Sequence, residues 1–225
     1  ASLLCQAYDR EFIDHHGQQS EEHTILDFTL GRDVGLGSLG NGTISVGVRS
    51  AQFKSRAKID TNTDPDLFFE PEGKYHNVYQ FLGSENRTFR GIGPEIALDA
   101  NTTLLGNPDE GEITFDWGVN AAILFGKQKV NTQHFTSYCH VNGNIGFAYC
   151  TPVIDTQTKT VNRSRSVIVP NLGGYIGASV RYSNAKLSLG YRADTFFNAM
   201  DGGQETHADY NRGFYGPYLN VSLGL

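Results

Sequence analysis

From Glu112 to Phe125 the chain alternates without a break. Ile113, Phe115, Trp117, Val119, Ala121, Ile123 and Phe125 occupy one parity, and Thr114, Asp116, Gly118, Asn120 and Ala122 the other. Successive side chains of an extended strand point to opposite faces, so this period of two predicts a strand with one apolar and one polar face. The same grammar recurs over residues 24–37, 44–56, 88–105, 163–182, 187–199 and 213–225. In the last of these, Tyr215, Pro217, Leu219, Val221, Leu223 and Leu225 oppose Gly216, Tyr218, Asn220, Ser222 and Gly224. These seven segments leave room for little but an antiparallel all-β fold.

Alternation serves two architectures. A secreted sandwich turns its apolar faces inward, whereas a transmembrane barrel turns them to lipid and lines its interior with the polar parity. The connections discriminate between them. Short ones at residues 38–42, 106–111 and 183–186 alternate with long ones at 60–85, 130–162 and 201–212. A sandwich has no reason to keep that rhythm, while outer-membrane barrels have tight periplasmic turns and long external loops. The apolar stretches also match the roughly 9–11 residues that cross a bilayer as a tilted strand. Trp117, Phe125, Tyr182, Tyr191, Phe197 and Tyr215 stand near strand ends on the apolar parity, where aromatic girdles belong. The expectation is an antiparallel transmembrane β-barrel of at least eight strands over residues 24–225, preceded by a loop or partial strand at 1–23.

Composition removes the competing classes. Hydrophobic residues make up 39% of the 225, and no run approaches the roughly 18 apolar residues that a membrane helix requires. A net charge of −6 without a basic stripe gives no footing for nucleic-acid binding. Of the three cysteines, Cys139 and Cys150 fall in one long connection and are expected to form a loop disulfide, with three free thiols as the competing reading. His15 and His16 lie in a polar stretch and read as solvated rather than as metal ligands. Gly91-x-Gly93 precedes Pro94 inside a strand, which rules out a dinucleotide loop. No catalytic signature, metal site or cofactor site emerges.

Within the barrel reading the polar parity supplies lumen-lining candidates: Asp27, Arg49, Glu95, Asp99, Asp116, Asn120, Arg181, Arg192 and Asp194. Charges among them cost a few kcal/mol each in hydrocarbon, so they belong inside. Phe115, Trp117, Val119, Leu189, Leu219 and Leu223 are the lipid-facing candidates. Mixed interior charge fits either a water-filled pore or a salt-bridge network that plugs a narrow barrel.

Six segments in order, TILDFTLG (24–31), VGVRSAQF (46–53), FRGIGPEIALD (89–99), AILFG (122–126), GYR (190–192) and GFYGPY (213–218), resemble the Legionella-type major outer membrane proteins and their proteobacterial relatives. The resemblance covers residue 24 to the end. It implies a porin-like barrel in the bacterial outer membrane that passes small solutes or ions and contacts outer-membrane lipid. A non-conducting barrel that displays its external loops to surface partners is the alternative, and oligomers are compatible with both. The sequence departs from the family in ending on Leu225 where Phe is common. It also lacks the further strands that members carry before residue 24. Seven strands is an odd number, so the expectation is that additional strands precede this chain in a barrel of ten or more.

Overall fold

A computed structural model describes residues 12–37, 40–64, 75–107, 111–142, 149–151, 156–182 and 185–223. Eight strands follow in chain order: β1 (Phe12–Gly35), β2 (Asn41–Asp64), β3 (Tyr75–Asn107), β4 (Gly111–Asn142), β5 (Tyr149–Thr151), β6 (Thr156–Tyr182), β7 (Ala185–Asp201) and β8 (Asp209–Leu223). They form one antiparallel sheet in the order β1-β2-β3-β4-β6-β7-β8, with the short β5 beside β4. Each long strand thus lies beside its neighbour in sequence, an up-and-down meander. The order ends at β1 and β8, and the sheet does not close among the described residues. No helix among them is long and apolar enough to cross a membrane.

The strands reach well beyond the alternating segments. β1 begins at Phe12, inside the stretch expected as a loop or partial strand; β2 runs to Asp64 and β3 starts at Tyr75, within the expected 60–85 loop; β4 runs to Asn142 and β6 starts at Thr156, within 130–162. These extensions, such as Gly17-Gln-Gln-Ser-Glu-Glu22, are polar on both parities. Hydrophobic periodicity reports which face is buried, whereas a strand needs only ladder hydrogen bonds, so polar strands give no period to read. The third long connection shrinks to residues 202–208, where the Gly202 amide donates to the Ala208 carbonyl at 2.7 Å.

The first tight turn takes its left-handed conformations from Gly37 (φ 62°) and Gly40 (φ 93°), while Asn41 and Gly42 belong to β2. The Leu36 amide donates to the Gly40 carbonyl at 2.9 Å across that turn.

Two compact units divide the chain. One comprises residues 1–22, 54–87 and 129–163; the other comprises 23–53, 88–128 and 164–225. In the first, Glu22 meets Lys54 at 3.6 Å and Arg56 at 3.2 Å, and the Phe81 and His134 rings lie 5.6 Å apart. This unit also holds a cavity of about 400 Å³ lined in part by His16, Lys58, Leu82, His134 and Phe135.

In the second unit the two faces of the sheet differ sharply. Along β4 from Glu112 to Gln128 the even positions are covered and the odd ones open, with Val119 50% exposed and its neighbour Asn120 at 9%. β6 repeats the pattern, exposing Ile168, Leu172, Ile176 and Val180 while covering Val169, Asn171 and Ser179. The open face is therefore the apolar one. Phe28, Leu30, Val46, Ile92, Ile123, Leu189, Tyr215 and Leu219 are all exposed on it, an apolar surface far larger than a water-soluble protein leaves uncovered.

The covered face carries an unexpected apolar cluster, all but Ala199 on the parity read as polar. Ala51, Phe53, Phe89, Ala122, Leu124, Val169, Phe196, Ala199 and Met200 pack together, with Ile25, Val167 and Phe214 against them. Phe53 is the centre, with ring centroids 4.7 Å from Phe196, 5.2 Å from Phe214 and 5.6 Å from Phe89. Burying each such ring contributes about 1.5–3 kcal/mol. A bulge in β7 makes room for the cluster: the β7–β8 register shifts between Phe196 and Met200, and Asn198 takes a positive φ of 54°. That local turn brings Phe196, Ala199 and Met200 all to the covered face.

Close strand approach adds a further constraint. A Cβ at Gly93 in β3 would lie 1.9 Å from the Ile123 carbonyl oxygen of β4, whereas one at Gly216 in β8 meets nothing within 4 Å. Gly93→Ala is expected to lose about 1–3 kcal/mol through forced backbone shifts, and Gly216→Ala to be nearly neutral. Urea unfolding of the refolded protein checks this, and equal midpoints for the two variants would contradict it.

Candidate functional site

The nine polar candidates all fall on the covered parity of the second unit, and the structure gathers seven of them into two networks, leaving Asp99 and Arg181 in separate pairs. Arg49 of β2 is the hub of the first. Its side chain is 1% exposed, the lowest of any charged group in this face. Nε and Nη2 make a bidentate pair with Asp27 of β1 at 2.7 and 2.8 Å, and Nη2 also reaches Glu95 Oε1 of β3 at 2.6 Å. Nη1 donates to Asn120 Oδ1 of β4 at 2.7 Å and to Asn171 Oδ1 of β6, and lies 3.8 Å from Asp194 of β7. One guanidinium therefore touches five other strands. Its planar fork of five donors suits that geometry, which a lysine ammonium cannot reproduce.

Asn171 was missed as a site residue. It lies on the right parity, but it carries no charge and its neighbours Leu172 and Gly173 give no polar context. Its amide also donates to the Thr195 carbonyl at 3.0 Å, so it ties β6 to β7 while holding Arg49. Glu95 Oε2, by contrast, is buried without a hydrogen-bond partner among the described residues. Asp194 extends the network to Arg192, whose Nε lies 2.6 Å from it.

The second network is centred on Asp116 of β4. Thr114 donates to it at 2.8 Å, Ser179 of β6 donates to its other oxygen, and Lys186 Nζ of β7 lies 2.8 Å away. Arg181 meets Glu112 at 3.7 Å, and Asp99 accepts from the Tyr175 hydroxyl at 2.8 Å. Asp99, Asp116 and Arg181 are thus not part of the Arg49 hub.

Of the six apolar candidates, Phe115, Val119, Leu189, Leu219 and Leu223 are exposed on the opposite face, and Trp117 is half-buried on that same parity. In the first unit, the His15 ring bonds the Thr61 hydroxyl at 2.8 Å. No group of three or more His, Cys, Asp or Glu that could hold a metal occurs among the described residues. The β4–β5 register places Val141 opposite Cys150, while the side chains of Cys139 and Cys150, and with them the expected disulfide, lie outside the described residues.

Comparison with known proteins fits this geometry of open apolar and covered charged faces. A search of curated proteins found no match. A family model described as the Legionella pneumophila major outer membrane protein precursor matches residues 6–224, nearly the whole chain. The chain belongs to this major outer membrane protein family and is a β-strand membrane protein of the bacterial outer membrane.

Proposed function

We propose that the strands of the second unit close into a narrow, porin-like barrel that passes ions and small solutes across the outer membrane. The observation that carries this reading is the division of its faces. Exposed aliphatic and aromatic side chains cover one face, and charges of both signs with open cavities beside them cover the other. Hydrocarbon suits the first face and water the second. Asp27, Arg49, Glu95, Asp99, Asp116, Asn120, Arg181, Arg192 and Asp194 are then lumen residues. Phe115, Trp117, Val119, Leu189, Leu219 and Leu223 then face lipid.

Closure has to satisfy the backbone groups of β1 and β8, because an unpaired edge cannot face hydrocarbon. The two edges approach each other: the rings of His23 in β1 and Phe214 in β8 are 4.3 Å apart. A cavity of about 850 Å³ lies between them, lined by residues 23–25 and 27 of β1 and 213–218 of β8, with Arg192 and Asp194.

A second reading has its own support. The buried Arg49 hub and the aromatic cluster around Phe53 fill part of the covered face, as a plugged barrel that only displays its outer strands to surface partners would require. Planar-bilayer recording separates the two. Discrete conductance steps from the folded full chain are expected; silence, with insertion verified by heat-modifiable migration, would overturn the porin-like reading in favour of display.

A further inference from the structure

The wall formed by β6, β7 and β8 below the Arg49 hub holds a cavity of about 340 Å³, lined by Asp116, Tyr175, Lys186, Ser188, Arg192, Tyr218, Asn220 and Ser222. Strand register explains why these residues converge. On β7 the covered positions Lys186, Ser188, Gly190 and Arg192 stand opposite Ser222, Asn220, Tyr218 and Gly216 of β8. On the other side they face Arg181, Ser179, Gly177 and Tyr175 of β6.

The paired glycines shape the floor. A Cβ at Gly177 would lie 2.6 Å from the Tyr218 hydroxyl, and one at Gly190 would lie 2.7 Å from Tyr218 Cε1. The Tyr218 ring therefore rests on bare backbone, and Tyr175 meets it edge-on at 5.7 Å. An aromatic face bordered by hydroxyl and amide groups is suited to a compact solute that carries C–H and O–H groups together.

The charges on this wall share one orientation. In each ion pair the carboxylate is hidden and the cation is open: 43% for Arg192 against 6% for Asp194, 22% for Lys186 against 7% for Asp116, and 41% for Arg181 against 8% for Glu112. Nε and Nη2 of Arg192 engage Asp194, and Nη1 has no partner among the described residues. The pairs are formally neutral, yet the surface they offer is cationic, because the exposed member of each pair sets the nearby potential.

We infer that this cavity is a binding site for a small hydroxylated monocarboxylate, with Arg192 holding the carboxylate, Tyr218, Ser188 and Asn220 meeting the hydroxyls, and Lys186 adding positive potential at the far end. The inference shares the inward assignment of these side chains with the porin-like reading but needs no ion flow. Its test is therefore an equilibrium one. The full chain, folded in detergent micelles, is titrated calorimetrically with sodium gluconate, and separately with sorbitol, which has similar hydroxyls and no charge.

Gluconate is expected to bind at least tenfold more tightly than sorbitol. Lys186→Gln combined with Arg192→Gln should weaken gluconate at least tenfold, while Lys127→Gln, on the opposite face, should leave it unchanged. Equal binding of the two solutes, or no heat from gluconate with the wild-type chain, overturns the inference without any variant. Retained affinity in a double variant that still shows heat-modifiable migration overturns it too. Gluconate binding by a protein silent in bilayers would sink the porin-like reading alone; conductance without gluconate binding would sink this one alone.

Discussion

Replacing Arg49 by Met is expected to destabilise the folded protein by about 3–5 kcal/mol, the cost of breaking a buried ion pair from one side. The arginine is 1% exposed and compensates Asp27, Glu95 and Asp194 at once. Methionine fills much of the same volume, so packing is largely kept and the loss is electrostatic. Glu95 then loses the cation that lies 2.6 Å from it and offsets its burial, and its second oxygen has no hydrogen-bond partner among the described residues. The Asn120 and Asn171 carbonyls lose their donor as well. Adding Glu95→Gln and Asp194→Asn to the Met variant should restore more than half of the loss, because whole buried clusters are removed more cheaply than single members. Urea titration of the refolded protein, read by heat-modifiable migration, measures both. A loss below about 1 kcal/mol for Arg49→Met would mean that water reaches the hub freely and that the pairs are worth no more than surface ones.

That hub also shows where the sequence stops being legible. The period of two along Ile113–Phe125 identified the strand and its two faces, because burial of one face imposes the alternation it records. Parity likewise placed Arg49, Glu95, Asp116 and Asp194 together on the covered face. It did not say which of them touch, since Asp27 on β1 and Asp194 on β7 are five places apart in the strand order and meet one guanidinium only through the curl of the sheet.

Three features lay outside the reach of periodicity. Phe53, Phe89, Leu124 and Val169 interrupt the polar parity at places where the covered face is packed rather than wet, and single apolar residues there look like noise in a hydropathy pattern. The bulge at Asn198 shifts parity within one strand, so any fixed period assigns the buried Ala199 to the open face. Strand extensions such as residues 14–22 are exposed on both parities and thus show no alternation.

Replacing Val119 by Arg is expected to cost about 2–4 kcal/mol of folding stability in a bilayer, the penalty for a cation near the midplane of a barrel's lipid face. Val119 lies midway along the alternating part of β4 and is 50% exposed, with Ile96, Leu98, Ala121 and Leu172 around it on the open face. Nothing in that apolar setting offers a guanidinium a partner, and either bilayer interface is several residues away along the strand. The position next to it, Asn120, is not a fair inward comparison. Its carbonyl accepts from Arg49 at 2.7 Å, so an arginine there would meet like charge in a buried space. Asn220 of β8 is the better control: it is exposed on the parity of the charged face, borders the 340 Å³ cavity, and among the described residues bonds only Ser222, at 3.3 Å. Asn220→Arg should cost less than about 1 kcal/mol, because the new cation can stay hydrated. The measurement is the urea midpoint of each variant refolded into liposomes. Equal losses at Val119 and Asn220 would contradict a lipid-facing β4 and, with it, the assignment of the charged parity to the lumen.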